Sequence, residues 1–76
     1  MEIYGILAET KTHARIFAGK TLEKENSKWV LIQSVKDIQE NDIPKSRILC
    51  NYSFWNKPNA WQLSQQIDGY YRAKKD

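Results

Sequence analysis

Apolar positions fall in short runs separated by polar punctuation. Ile3–Ala8 (Ile-Tyr-Gly-Ile-Leu-Ala) is followed by the polar stretch Glu9–His13, a pattern that predicts a strand. Ala14–Ala18 (Ala-Arg-Ile-Phe-Ala) is a second strand candidate ending at Gly19, and the two are expected to form a hairpin across Glu9–His13. Thr21–Lys28 is charged and turn-rich at Asn26-Ser27. Trp29–Val35 is a nearly continuous β-branched and aromatic run, which favours a third strand. Leu31, Val35 and Ile38 also fall at helical spacing, so a helical alternative stands beside it.

Pro44 pushes Ile43 out of the helical region, so no helix runs smoothly through Lys36–Ser46, although a short turn over Val35–Glu40 fits. Arg47–Trp55 alternates: Ile48, Cys50, Tyr52 and Phe54 point one way, while Arg47, Asn51 and Ser53 point the other with Leu49 and Trp55. Period-two alternation predicts a half-buried strand. A helix-turn-helix reading (Val35–Glu40, a turn at 41–45, then Ser46–Tyr52) has suitable lengths, but the alternation opposes its second helix.

The strongest helix signal follows Asn56-Lys57-Pro58-Asn59. Either Asn can cap a helix and Pro58 suits its first turn. Ala60, Leu63, Ile67 and Tyr70 or Tyr71 then recur at helical spacing and define a face that packs on the sheet. Gly69 is a candidate terminator, which would leave residues 70–76 as a basic aromatic tail. The expected architecture is a single α+β domain over residues 1–76. It has a three- or four-stranded, mainly antiparallel sheet and one C-terminal helix, Pro58–Tyr71, packed on it.

Seventy-six residues leave room for one domain. A chain of this size buries only roughly 60–65% of its unfolded surface, so three Trp serve a small core as naturally as a binding surface. Cys50 is the only cysteine and cannot form an internal disulfide. The N-terminal segment carries Glu2 and one short apolar run, unlike a secretory signal, and no run approaches the roughly 20 apolar residues of a membrane span. The cytosol is the expected compartment, with no membrane partner. The sequon Asn51-Tyr52-Ser53 is then read as chance.

Catalysis finds little support. One His and one Cys, His13 in a predicted turn and Cys50 on a predicted core face, make a weak nucleophile pair. They also fall short of a zinc ligand set. Glu23/Glu25 and Glu40/Asp42 sit beside lysines, as solvated loops do, and nothing splits their pKa values for acid–base work. Gly19-Lys20-Thr21 resembles the end of a phosphate-binding loop, but position 14 is Ala where the first glycine is needed. No enzyme, cofactor or metal site is expected.

What remains is a lopsided charge distribution. Residues 1–42 carry six basic and seven acidic side chains, whereas residues 43–75 carry Lys45, Arg47, Lys57, Arg72, Lys74 and Lys75 against Asp68 alone. That second half also holds six of the nine aromatics. Trp61, Gln65, Asp68 and Arg72 share a helix face away from Leu63 and Ile67, where Trp61 either folds back or stands exposed as an anchor. Cations closing a helix are explained by its dipole alone, but with Tyr71 they also suit phosphate and base contacts. The expected function is non-enzymatic binding of nucleic acid or regulation, through Lys57, Arg72, Lys74 and Lys75 on phosphate and Trp61 and Tyr71 on bases or sugars. An inhibitor or adaptor module, for example from a phage or mobile element, would instead present Trp55, Trp61 and the helix surface to a protein. A helix-turn-helix accessory factor is the third reading. An open sheet edge would allow pairing with a second copy as a homodimer.

Overall fold

A computed structural model describes residues 2–22 and 27–74. The elements run β1 (Glu2–Leu7), α1 (Lys11–Thr21), β2 (Ser27–Leu31), α2 (Val35–Asn41), β3 (Ile48–Cys50) and α3 (Ala60–Lys74), with 3₁₀ turns at Lys45–Arg47 and Tyr52–Asn56. The mixed helix-and-strand class stands, but the sheet is not antiparallel. Its three strands are all parallel in the order β2-β1-β3, with Glu2 opposite Ser27 and Gly5 opposite both Val30 and Ile48. Three helices, not one, pack on it.

The correction begins at Thr10. Its backbone is extended and its hydroxyl accepts the His13 N–H at 3.2 Å, which caps α1 and satisfies one of the orphan donors of a helix start. Glu9–His13 is therefore a strand-to-helix corner, and Ala14–Ala18 is helix. Ala14 and Ala18, one turn apart, are both buried against the sheet, whereas Ile16, which gave the segment its strand character, points to solvent at 56% exposure. A helix between two strands returns the chain to its starting edge, so the next strand runs parallel. The charged turn expected at Thr21–Lys28 lies partly outside the described residues, at 23–26.

Alternating side chains on β1 and β2 feed two cores on opposite faces. Ile6 and Ala8 join Ala14 and Ala18 of α1, with Phe17, Trp29 and Leu31 packed around them. Leu7 and Ile32 join Ile38 of α2, Ile43, Phe54, and Ala60, Leu63 and Ile67 of α3. The helical wheel of α3 is as the spacing predicts. Gly69 does not end it: the helix continues to Lys74, so residues 70–74 form no tail.

The segment Val35–Asn41 is helical as its short-turn reading expected, and the Trp29–Val35 strand stops at Leu31. The Asp37 carboxylate accepts from the backbone N–H groups of Gln33 at 2.8 Å and Ser34 at 3.2 Å. Asp42 closes α2 in the left-handed region (φ 51°), which turns buried Ile43 inward ahead of Pro44. The long strand expected over Arg47–Trp55 shrinks to Ile48–Cys50. Asn51 ends it, because its side chain accepts the Ser53 N–H at 3.0 Å and starts the 3₁₀ turn. Of the four residues expected on one buried face, Phe54 is fully buried, Ile48 half-buried, and Cys50 and Tyr52 exposed. The same break removes the second helix of a helix-turn-helix, since 48–50 is strand.

Tyr71 ties α3 to the α2–β3 connection, its hydroxyl donating to the Ile43 carbonyl at 2.6 Å. Burial, and then the neighbouring Tyr70 and Asp42, raise its pKa above the ordinary phenol value. A raised folded value means that this contribution is fully present below the unfolded pKa of about 10 and is lost as pH rises through the folded one. Tyr71→Phe is expected to be about 1 kcal/mol less stable at neutral pH and to lose less stability above about pH 10 than the parent does. Urea unfolding at neutral and alkaline pH measures both; equal alkaline losses would refute the assignment.

Candidate basic surface on the lone helix

Two of the C-terminal cations, Arg72 and Lys74, are engaged. Arg72 Nε lies 3.0 Å from Asp68 Oδ2. Lys74 Nζ lies 3.5 Å from Asp42 Oδ1 and 5.7 Å from the centre of the Tyr70 ring. Tyr70, followed by Asp42, raises the pKa of the Lys74 ammonium above its ordinary value. Tyr71 spends its hydroxyl on Ile43 and meets Tyr70 edge-on at 5.0 Å. Lys75 lies outside the described residues. Trp61 and Gln65 are exposed near the start of α3, with Trp61 at 67%. Trp61 and Lys74 are thirteen positions apart in the helix, about 20 Å along the axis. Trp55 is 53% exposed and rests edge-on against Phe54 at 5.0 Å. Lys57 is elsewhere, in a groove with Lys11 and Glu9. The expected site residues that are described therefore do not converge on one site.

A second set of cations does share an element. Helix α1 carries Lys11, Arg15 and Lys20 and no acidic residue. All three are exposed, and none is in an ion pair among the described residues. At 100° per residue, the buried Ala14 and Ala18 define the inner line of the helix. Ile16 then lies opposite that line at the crest of the outer ridge, with Thr12 and Lys20 about 40° to either side of it and Gly19 and His13 about 60°. Arg15 and Lys11 follow beyond Gly19 on one flank, and Lys20 and His13 lie toward the other.

Grooves on both sides agree with this wheel. On the β2 side, Lys11 lines an open groove of about 480 Å³ with Glu9, Trp29, Gln33 and Lys57. On the β3 side, His13, Phe17 and Lys20 line one of about 410 Å³ with Asn51 and Tyr52. Tyr52 is 83% exposed there. The Thr10 hydroxyl lies 2.7 Å from His13 Nδ1 and anchors the ring. The strand character of Ala14–Ala18 hides this set of cations in the sequence; the signal that marks it is the acid-free stretch from Thr10 to Leu22.

Little else on the molecule offers chemistry. Cys50 is exposed, not a core residue, and burial of its surroundings pushes the thiol pKa up, away from the thiolate a nucleophile needs. Strand alternation places it with Ile48 on the α2–α3 face, opposite His13. Among the described residues, no three His, Cys, Asp or Glu side chains gather to hold a metal, and no helix is long and apolar enough to cross a membrane. Compared with known proteins, the chain matches no family model, no curated protein and no solved structure.

Proposed function

We propose that this is a non-enzymatic protein that binds nucleic acid on the α1 face of its sheet. The observation that carries the reading is the acid-free helix with three exposed cations, none in an ion pair among the described residues. Phosphate contacts need cations that are not already neutralised, and α1 supplies them where the end of α3 does not. Exposed Tyr52 beside Lys20 adds an aromatic edge to the same surface. A lone thiol, Cys50, suits the reducing cytosol this reading assumes.

Three phosphate contacts imply a log–log salt slope near about −2.7, hence roughly a 40-fold weaker affinity at 200 mM than at 50 mM salt. Trp29, in the groove with Lys11, is an intrinsic reporter. The variant carrying Lys11→Ala, Arg15→Ala and Lys20→Ala is expected to lose this salt-sensitive binding, while Arg72→Ala with Lys74→Ala keeps most of it. The opposite ranking in a fluorescence titration would move the site to α3.

A second reading rests on a separate observation, the exposure of Trp55 and Trp61 near the start of α3. An inhibitor or adaptor would use them as anchors. Its signature is binding to a protein with weak salt dependence and a loss of about tenfold or more on Trp61→Ala.

A further inference from the structure

We infer that α1 enters the major groove of B-form DNA, with its ridge toward the base edges and one cationic flank toward each phosphate strand. This rests on the nucleic-acid reading above and goes further by naming the form of nucleic acid and the way it is held.

Three features of α1 point the same way. First, the helix stands alone: α2 and α3 pack on the opposite face of the sheet, and the core beneath α1 takes helical side chains from α1 only. A lone helix is a ridge about 10–12 Å across, and the major groove of B-DNA is about 12 Å wide. Its eleven residues span about 16 Å, or four to five steps at about 3.4 Å per nucleotide. Second, the ridge is low at Ile16 and on its Thr12 and Gly19 side. Among the described residues, nothing lies within 4 Å of where a Cβ of residue 19 would be, Thr12 is short, and Ile16 offers an apolar tip at 56% exposure. Small and apolar ridge residues permit close approach to base edges and contact with thymine methyls. Third, the cations are divided between the flanks, as two phosphate strands require. Lys11 and Arg15 lie on one side and Lys20 on the other with His13, and the open grooves alongside are where the strands would run. Lys57 adds a cation to the β2-side groove, where Glu9 is the one acidic group among the described residues of the lining.

This charge pattern also argues against a second copy of the chain as the occupant. A two-fold interface through this face would set α1 cations against α1 cations. The A-form RNA duplex has a major groove too deep and narrow for a helix.

The test is fluorescence anisotropy with a labelled mixed-sequence DNA duplex, the matching single strand and the matching RNA duplex, using the full chain. The ridge is probed by Gly19→Tyr, whose Cβ meets no described atom within 4 Å and which leaves charge unchanged; circular dichroism and thermal melting verify its fold. The expected results are preference for the DNA duplex, a loss of about tenfold or more in Gly19→Tyr, and interference by methylation at guanine N7, in the major groove, but not at adenine N3, in the minor groove. Salt-sensitive binding that prefers the single strand or the RNA duplex, ignores Gly19→Tyr, or is blocked only at adenine N3 would overturn the major-groove placement and leave nucleic-acid binding standing. If no nucleic acid binds with the expected salt slope, the underlying reading fails as well.

Discussion

Phe54→Ala is expected to destabilise the fold by about 3–5 kcal/mol. A domain of this length has about 4–11 kcal/mol in all, so the variant should be largely unfolded under mild denaturant. Phe54 is the largest side chain with no solvent exposure, and it sits in the core shared by Ile32 of the β2 exit, Ile38 of α2 and Leu63 of α3. Its neighbours belong to several rigid elements, so the cavity would not readily collapse. Phe54 also pins the 3₁₀ turn that carries Tyr52 and Trp55 at the surface, which links core packing to both candidate binding surfaces. Urea unfolding followed by Trp fluorescence decides the matter, with Trp55→Phe as control for the altered reporter. A loss below about 1 kcal/mol would show that the core closes without this ring.

Gly5→Ala is expected to cost about 1–3 kcal/mol, against the usual gain of about 0.5–1 kcal/mol for replacing a glycine within a strand or helix. Gly5 lies in the central strand between β2 and β3. An added Cβ would lie 2.8 Å from Ile48 Cδ1 and 2.9 Å from Ile32 Cγ1. The Ile48 methyl can turn aside, but Ile32 has no exposure and its Cγ1 is close to the backbone. Gly69→Ala is the matched control: nothing lies within 4 Å of its Cβ position, so stability should rise by about 0.5–1 kcal/mol. Thermal melts of the pair test the sign. If Gly5→Ala melts higher than the parent, Ile32 and Ile48 repack freely and the steric account of this glycine is wrong.

Legibility in the sequence followed the range of the forces involved. Helix α3 was readable because Ala60, Leu63 and Ile67 state its buried face locally, and Pro44 marked the end of α2. Strand direction was decided by a few atoms at Thr10. Ile16 and Phe17 have β-branched and aromatic character, but the cap and the Ala14/Ala18 spacing outweigh it once a sheet is present to cover. The alternation over Arg47–Trp55 was genuine but lost to the local hydrogen bond from Ser53 N–H to the Asn51 side chain. Charge behaved similarly. The Arg72–Asp68 pairing could be read from helical spacing, whereas Lys74 finds Asp42 only through the fold. The cations of α1 were hidden by averaging, because acids elsewhere in residues 1–42 offset them in the count while α1 itself carries none.

The β2-β1-β3 order has a consequence for how quickly the chain can fold. The middle strand comes before both of its partners, so no ladder closes through a tight turn. Gly5 must find Val30 across one helix and Ile48 across two. Contacts of such long sequence separation incur loop-closure entropy before any pairing compensates for it. Folding should therefore be slow for a chain of this length, limited by the search for sheet register and not by the formation of any single helix.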